Sequence, residues 1–162
     1  MRFSIAFTGT ILLCGLAGVS QSADGKAPAA VQAGTAWAIP AGPGQIMTAA
    51  YVSLRNRGKA PQTLLGASSN VAADVQMHSS EIKGGIARMR RVERLTVPAR
   101  GELKLTPGGP HLMLMGLKRP LKVGDRITVH LRFEGGANLN VAVPVTDTSE
   151  ISTLKGGPHA NH

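Results

Sequence analysis

Cysteine is almost absent from this chain of 162 residues, which contains a single one, Cys14. One cysteine cannot form an internal disulfide, so the sequence excludes a small scaffold stabilised by disulfides. It also excludes zinc and iron–sulfur sites that are built from several thiolates. Sulfur is present instead as thioether, because the chain has six methionines, alongside five histidines.

Acidic and aromatic residues are also scarce. The chain has 9 Asp and Glu against 18 Lys and Arg, which gives a net charge of +9, and only 3% of its residues are aromatic. With so few aromatic side chains to stack on bases, we expect no nucleic-acid partner. The excess of positive charge predicts a solvated strand face that aids solubility, and the alternative interpretation is a docking surface for an acidic partner. The basic residues that would form such a surface lie on either side of Met89 and after residue 117: Arg88, Arg90, Arg91, Arg94, Lys118, Arg119 and Lys122.

No charged residue lies between Arg2 and Asp24, and the apolar run in this stretch ends in small and polar residues. A positive start, an apolar middle and a small-residue end are typical of a secretory signal peptide. The sequence therefore predicts a signal peptide over residues 1–22, with cleavage after Ser22 or Ala23.

The same stretch offers two other interpretations, a lipid anchor and an uncleaved membrane anchor. Lipoprotein processing at Cys14 needs a small residue in front of it, where this chain has Leu13. The purely apolar part is short for a membrane-spanning helix. We therefore expect export, no stable membrane span after signal cleavage, and a mature chain without cysteine.

Short stretches of alternating apolar and polar residues, separated by Gly and Pro turns, fill the rest of the chain. This pattern predicts a single antiparallel all-β domain over residues 36–146, a sandwich or barrel without α-helices. A flexible lead-in over 23–35 and a loose tail over 147–162 flank it. The predicted strands are 36–39, 48–56, 63–67, 73–79, 86–92, 102–106, 111–115, 126–133 and 139–145.

Histidine and methionine form the one candidate ligand set in the sequence. His111 and Met113 are two residues apart in a predicted strand, so their side chains share one face. His78 lies on an earlier strand and Met89 one hairpin further on, where neighbouring strands can bring them together. Neutral imidazole and thioether ligands suit Cu(I) better than Mg²⁺, Ca²⁺ or Zn²⁺. A blue-copper centre is excluded because it needs a cysteine thiolate.

The alternative interpretation is that these methionines only fill the core, a frequent role of methionine. Met77 and Met115 are predicted as core residues on this ground. His130 lies in an alternating strand and is predicted to be structural or exposed. Composition and spacing alone leave the choice between a copper site and simple packing open.

The spacing of the four candidate ligands resembles a family motif. His78, ten residues, Met89, twenty-one residues and then His111-Leu112-Met113 match the H-x10-M-x21-H-x-M motif of the PCu(A)C-type periplasmic copper chaperones. One departure is Trp37-Ala38, since family members usually carry a basic residue shortly after the tryptophan. The similar stretches run from about residue 37 to 145: Ala49-Ala50-Tyr51, Met77-His78, Gly84-Gly85, Gly108 to Leu117, Leu121 to Asp125, and Val143-Pro144-Val145.

The resemblance implies a cupredoxin-like, Greek-key type β-sandwich that holds Cu(I) with His78, Met89, His111 and Met113. It also implies a periplasmic chaperone, not an enzyme, that delivers copper for assembly of the Cu(A) centre of cytochrome c oxidase. The expected partner is the copper-accepting subunit of the oxidase or another periplasmic copper carrier.

Two other functions remain open at this stage. The first is a periplasmic copper-sequestering or resistance protein without a dedicated acceptor. The second is a structural β-sandwich that binds no metal. His159 and His162 in the tail are candidates for an additional Cu(II) site, although a plain solvated tail is favoured.

Overall fold

The computed structural model describes residues 30–147, which form an all-β fold. Within this range the helical content is one short 3-10 turn, Glu134–Gly136. The strands are β1 (Val31–Ala38), β2 (Met47–Asn56), β3 (Gln62–Ser69), β4 (Ala72–Lys83), β5 (Ile86–Arg91), β6 (Leu95–Val97), β7 (Glu102–Lys104), β8 (Pro110–Leu117), β9 (Arg126–Phe133) and β10 (Asn138–Pro144).

The strands form an antiparallel sandwich that is almost closed into a barrel. One face has the strand order β1-β2-β8-β4, with β5 beside β4, and the other has β3-β9-β10. The β3–β4 hairpin connects the two faces on one side. A parallel bridge between Ala38 and Val145 connects them on the other. This architecture confirms the predicted cupredoxin-like antiparallel sandwich.

The core lies between the two faces and follows directly from the alternation of each strand. In β9, Ile127, Val129, Leu131 and Phe133 are buried and the residues between them are more exposed. In β8 the buried apolar residues Leu112 and Leu114 point inward, so their neighbours in sequence point outward. The outer side of the β1-β2-β8-β4 face is therefore free to carry polar and sulfur-containing side chains.

Two strand predictions need correction. β1 begins at Val31, so residues 31–35 belong to a strand and not to the predicted flexible lead-in. Their Ala- and Gly-rich composition hides a strand that forms by pairing with β2, where Val31 faces Asn56 and is buried. The sequence also missed Leu95–Val97, a three-residue strand that exists because it pairs with β3.

Several predictions concern residues outside the described range. They are the signal peptide over 1–22 with Cys14, the first part of the lead-in, nearly all of the tail, and the tail residues His159 and His162. Residues 30–147 contain no helix with the length and hydropathy of a membrane span.

Candidate metal centre

The two candidate histidine ligands lie side by side on neighbouring strands. His78 in β4 and His111 in β8 are directly paired across the antiparallel ladder. Their ring centroids are 6.0 Å apart, with 58° between the ring planes. Two imidazoles that share one ion through bonds of about 2.0–2.1 Å place their ring centres about 5–6 Å apart. The strand register alone therefore brings the two rings to roughly the separation that a shared metal ion requires.

The two candidate thioethers lie on the same outer surface as the histidines. Met113 follows His111 by two residues in β8 and faces Gln76 of β4. Met89 in β5 faces Ser80, and the next outward pair of these strands is His78 with Arg91. Alternate residues of a strand share a face, so all four candidate ligands project from one side of three adjacent strands.

The four positions differ in exposure. His111 is buried at 4% exposure, whereas Met89 is 56% exposed. β4 and β5 continue past the end of β8, whose first residue Pro110 faces Ser79. Met89 thus lies on a projecting hairpin at the rim of the site, and the other three side chains lie nearer the centre of the sheet.

Hydrogen bonds define which ring nitrogen each histidine leaves available. His111 Nδ1 lies 2.9 Å from the carbonyl oxygen of Gly109, which can only accept, so Nδ1 donates and Nε2 keeps its lone pair. His78 Nε2 lies 3.1 Å from Oε1 of Gln76. The other nitrogen of this ring, His78 Nδ1, is buried and has no hydrogen-bond partner among residues 30–147. A buried polar atom without a partner is costly, and a ligand at this position would remove that cost.

Aromatic rings extend the histidine pair across the sheet. Trp37 of β1 contacts Tyr51 of β2 at a centroid distance of 4.2 Å. Tyr51 in turn lies 6.2 Å from His111. The row Trp37, Tyr51, His111, His78 therefore crosses four strands, and its aromatic end helps to bury His111.

Burial and nearby charges favour the neutral form of His78, because they lower its pKa. Burial, followed by the charges of His111 and Arg91, lowers the pKa of His78 below its ordinary value. Only a neutral imidazole binds a metal, so the lowered pKa keeps this ligand available at mildly acidic pH.

The other methionines and His130 show where the sequence prediction succeeded and where it failed. Met77 is buried in the core at 4% exposure, as predicted. Met115 was wrongly predicted as a core residue, because it shares the outward parity of His111 and Met113 and is only half-buried. It faces Met47 of β2, which is 45% exposed. His130 is exposed on β9, as predicted, and its Nδ1 contacts Asn140 Oδ1 at 2.7 Å.

Three further side chains lie beside the site and were not predicted as its neighbours: Gln76, Tyr51 and Arg91. Gln76 precedes His78 by two residues, so the strand alternation already placed it on the same face. Tyr51 and Arg91 are neighbours only through the pairing of β2 with β8 and of β5 with β4, which the sequence does not specify.

The donor set fits a soft monovalent ion. Within the described residues no cluster of three or more His, Cys, Asp and Glu side chains exists that would hold a harder metal. Two imidazoles and two thioethers carry no charge, and Arg91 adds a positive charge beside them. Such a set favours Cu(I) over a harder dication, because soft thioether ligands select Cu(I) and a neutral set leaves only one positive charge on the complex.

Comparison with known proteins places the chain in a family. Residues 31–145 match the family described as "LpqE-like: Putative lipoprotein LpqE-like". The chain belongs to the LpqE-like family. This LpqE-like chain is also 40% identical over 155 residues to "Putative lipoprotein Lxx21020" of Leifsonia xyli subsp. xyli, a match that covers 91% of the chain and 92% of the relative.

Solved structures similar to this LpqE-like chain are PCuAC domains and DR1885. The Cu(I) form of DR1885 from Deinococcus radiodurans is 40% identical, covers 80% of the chain and 86% of its own length, and has a TM-score of 0.60. The apo form of DR1885 is 36% identical to this chain, and the two align over 91% of this chain and 99% of DR1885, with a TM-score of 0.59. The copper-bound PCuAC domain from PmoF2 aligns over 72% of this chain and 92% of its own length, with a TM-score of 0.61. At 20% identity, this match shows only that the two share a fold. These similarities confirm the predicted membership of the PCu(A)C-type family.

Proposed function

We propose that this protein is an exported copper chaperone that binds one Cu(I) with His78, Met89, His111 and Met113. The observation that carries the proposal is the cross-strand pair of His78 and His111, in which His78 Nδ1 is buried and has no hydrogen-bond partner in the part of the chain that the structure describes. The similarity to the Cu(I) form of DR1885 supports the choice of copper and of this oxidation state.

The arrangement suits a carrier that must also release its cargo. His111, His78 and Met113 lie on strands that are paired on both sides, whereas Met89 lies on the exposed hairpin. A ligand on an exposed strand can be replaced first by a group from an acceptor, and the remaining ligands then follow one at a time. A thiolate-rich acceptor such as the Cu(A) centre of cytochrome c oxidase is softer and anionic, so it favours the final transfer. No bond in a substrate is broken, and the process is transfer and not catalysis.

Copper binding is tested by anaerobic Cu(I) titration of the exported chain against a competing chelator. We expect one tightly bound Cu(I), and a loss of at least about 10-fold in affinity when His111 or Met113 is changed to Ala. His130→Ala is a matched control for His111, because His130 is also a strand histidine but lies on the opposite face of the sandwich. Met47→Ala is the control for Met89→Ala, since both methionines are exposed. Equal affinities for the wild type and all five variants would overturn the assignment of the site.

Delivery is tested by mixing the copper-loaded protein with the apo copper-accepting subunit of cytochrome c oxidase. Transfer to that subunit supports the chaperone function in the periplasm. Tight Cu(I) binding without transfer to it, or to any other periplasmic copper carrier, supports the sequestering protein instead. No copper binding at all would leave only a structural sandwich.

The mode of export has a second candidate that the relatives favour. Both the family description and the Leifsonia relative carry the word lipoprotein. We therefore include lipidation at Cys14 beside the cleavage after Ser22 or Ala23 that the sequence favours. Mass spectrometry of the mature protein separates the two, because lipidation leaves a diacylated N-terminal cysteine and signal cleavage leaves residue 23 or 24.

A further inference from the structure

Three residues on the outer face of β4 form a chain of hydrogen bonds that ends at a proposed copper ligand. Asp74, Gln76 and His78 alternate along the strand, so their side chains project from the same face. Gln76 Nε2 lies 2.8 Å from Oδ2 of Asp74. Gln76 Oε1 lies 3.1 Å from Nε2 of His78. The side-chain amide of Gln76 thus connects a carboxylate to an imidazole.

The carboxylate determines which way the amide of Gln76 points. An ionised carboxylate accepts hydrogen bonds and cannot donate them, so the NH₂ group of Gln76 must face Asp74. The carbonyl oxygen of the same amide then faces His78. Because that oxygen also only accepts, His78 Nε2 must carry the proton and donate it.

A donating Nε2 leaves Nδ1 of His78 with the free lone pair. This nitrogen is the buried ring atom that has no hydrogen-bond partner within the described residues. The hydrogen-bond chain and the unpartnered atom are separate observations, and they identify the same nitrogen. In His111 the bond to the Gly109 carbonyl gives the opposite result, with Nε2 free.

We propose that Gln76, oriented by Asp74, is a positioning residue that holds His78 as the Nε2–H tautomer and so makes Nδ1 the copper-binding atom. The two histidines then present different nitrogens to one ion, Nδ1 from His78 and Nε2 from His111. The copper part of this inference rests on the proposed function, whereas the tautomer is a property of the protein without metal. Groups that orient a metal-binding histidine typically change metal affinity by about 10–100-fold when they are removed.

The tautomer is tested by long-range ¹H–¹⁵N correlation NMR of apo protein labelled at histidine, at mildly alkaline pH. The spectrum distinguishes a protonated ring nitrogen from one with a free lone pair. We expect Nε2–H for His78 and Nδ1–H for His111. Gln76→Leu removes the acceptor and should give His78 a mixture of tautomers, whereas Gln76→Glu keeps an acceptor and should preserve Nε2–H. Asp74→Asn should shift the tautomers of His78 part of the way toward a mixture. The reason is that an Asn side chain at position 74 can hydrogen-bond to the Gln76 amide in either orientation.

A matched control exists on the opposite face of the sandwich. His130 Nδ1 contacts Oδ1 of Asn140 at 2.7 Å, so Asn140→Leu removes a comparable bond from a histidine outside the site. This variant should change the spectrum of His130 and leave His78 unchanged. A wild-type His78 that carries its proton on Nδ1, or a Gln76→Leu variant with an unaltered His78, would overturn the proposal.

Copper itself provides the second arm of the test. Cu(I) added to the labelled protein should shift the Nδ1 resonance of His78 and the Nε2 resonance of His111 most strongly. Gln76→Leu should weaken Cu(I) binding by about 10–100-fold and Gln76→Glu should restore it. If Cu(I) binds through Nε2 of His78, the positioning role is wrong while the proposed function stands. If Cu(I) does not bind, the proposed function fails and so does the assignment of Nδ1 as its ligand.

Discussion

At the scale of single residues, the outer face of β8 carries candidate ligands and its inner face carries core residues. His111 and Met113 point outward toward the candidate site, while Leu112 and Leu114 between and after them are buried in the core. A single strand of eight residues therefore combines ligand positions with core positions. Substitutions on its two faces should have different consequences.

Leu114→Ala should lower the free energy of unfolding by about 2–5 kcal/mol, because Leu114 has no exposed surface and its truncation leaves a cavity. Urea unfolding of the apo protein measures this loss. Met113→Ala, next to it on the outer face, should lower Cu(I) affinity and change apo stability much less. Equal destabilisation by both variants would show that the two faces are not separate.

The lowered pKa of His78 gives a defined pH dependence. In the unfolded chain this histidine takes up a proton near its ordinary pKa of about 6.5, and in the folded protein only at lower pH. Between these two values the unfolded state binds more protons, so apo stability falls as the pH is lowered through this window. Above about pH 6.5 His78 is neutral in both states and does not change the stability. Below the folded pKa, the full loss of stability that His78 causes is present.

Arg91→Ala removes one of the charges that lower this pKa, so it should make the loss of apo stability at acidic pH smaller and move the loss of Cu(I) binding to higher pH. Arg88→Ala is the matched control, because Arg88 lies on the same strand and projects from the other side. NMR titration of His78 together with Cu(I) competition across pH provides the measurement. An identical titration of His78 in both variants would rule out the role of Arg91.

At the scale of strands and turns, the end of β8 depends on a glycine. Gly116 has a φ of +62°, and a Cβ at this position would lie 2.8 Å from the Cβ of Ala73 in β4. Both the backbone conformation and the close approach of the two strands exclude a side chain.

Gly116→Ala should therefore lower the free energy of unfolding by about 1–3 kcal/mol. Gly42→Ala provides the control, because the nearest atom to its added Cβ, Oε1 of Gln45, lies at an ordinary 3.7 Å. The control should change stability by no more than about 0.5 kcal/mol. Thermal or urea unfolding of both variants tests this, and a neutral Gly116→Ala would show that β8 and β4 can separate without cost.

Strand by strand, alternation and turn residues predicted most of the fold. They placed strands inside β2, β4, β8, β9 and β10, and the alternation between buried and exposed residues is clearest in β9 and β10. Alternation and turn residues do not predict the order of the strands, because the insertion of β8 between β2 and β4 depends on pairing between strands that are far apart in the sequence. The meeting of His78 with His111 was therefore expected from the family motif and not from the alternation. The bond between Gln76 and His78 needs side-chain geometry, which a single sequence does not supply.

At the scale of the whole molecule, positive charge dominates the surface. The net charge is +9, and the hairpin that carries Met89 also carries Arg88, Arg90 and Arg91, all exposed. Only Arg90 among these three forms an ion pair within the described residues, with Glu81 at 3.2 Å. If an acidic acceptor docks here, as the docking interpretation predicts, we expect these charges to attract it to the rim of the site.

Copper transfer to an acidic acceptor should slow by about 10-fold or more as ionic strength is raised, because salt screens this attraction. Charge reversal at Arg88 and Arg91 should slow transfer further. The double variant Arg126→Glu, Arg132→Glu is the control, since it makes an equal charge change at two exposed positions of β9 on the opposite face. Stopped-flow transfer at several salt concentrations measures the effect. A rate that does not depend on salt, or that falls equally in the control, would exclude the hairpin as a docking surface.

The row of rings across β1, β2, β8 and β4 gives the molecule a built-in optical reporter. The chain has one tryptophan and one tyrosine, and both belong to this row. Tyr51 lies between Trp37 and His111, and its ring centroid is 4.2 Å from that of Trp37 and 6.2 Å from that of His111. Light emission from Trp37 therefore comes from a single position, which Tyr51 connects to the candidate ligand His111. The filling and emptying of the site should be visible in the fluorescence of the unlabelled protein, in real time and in the presence of an acceptor.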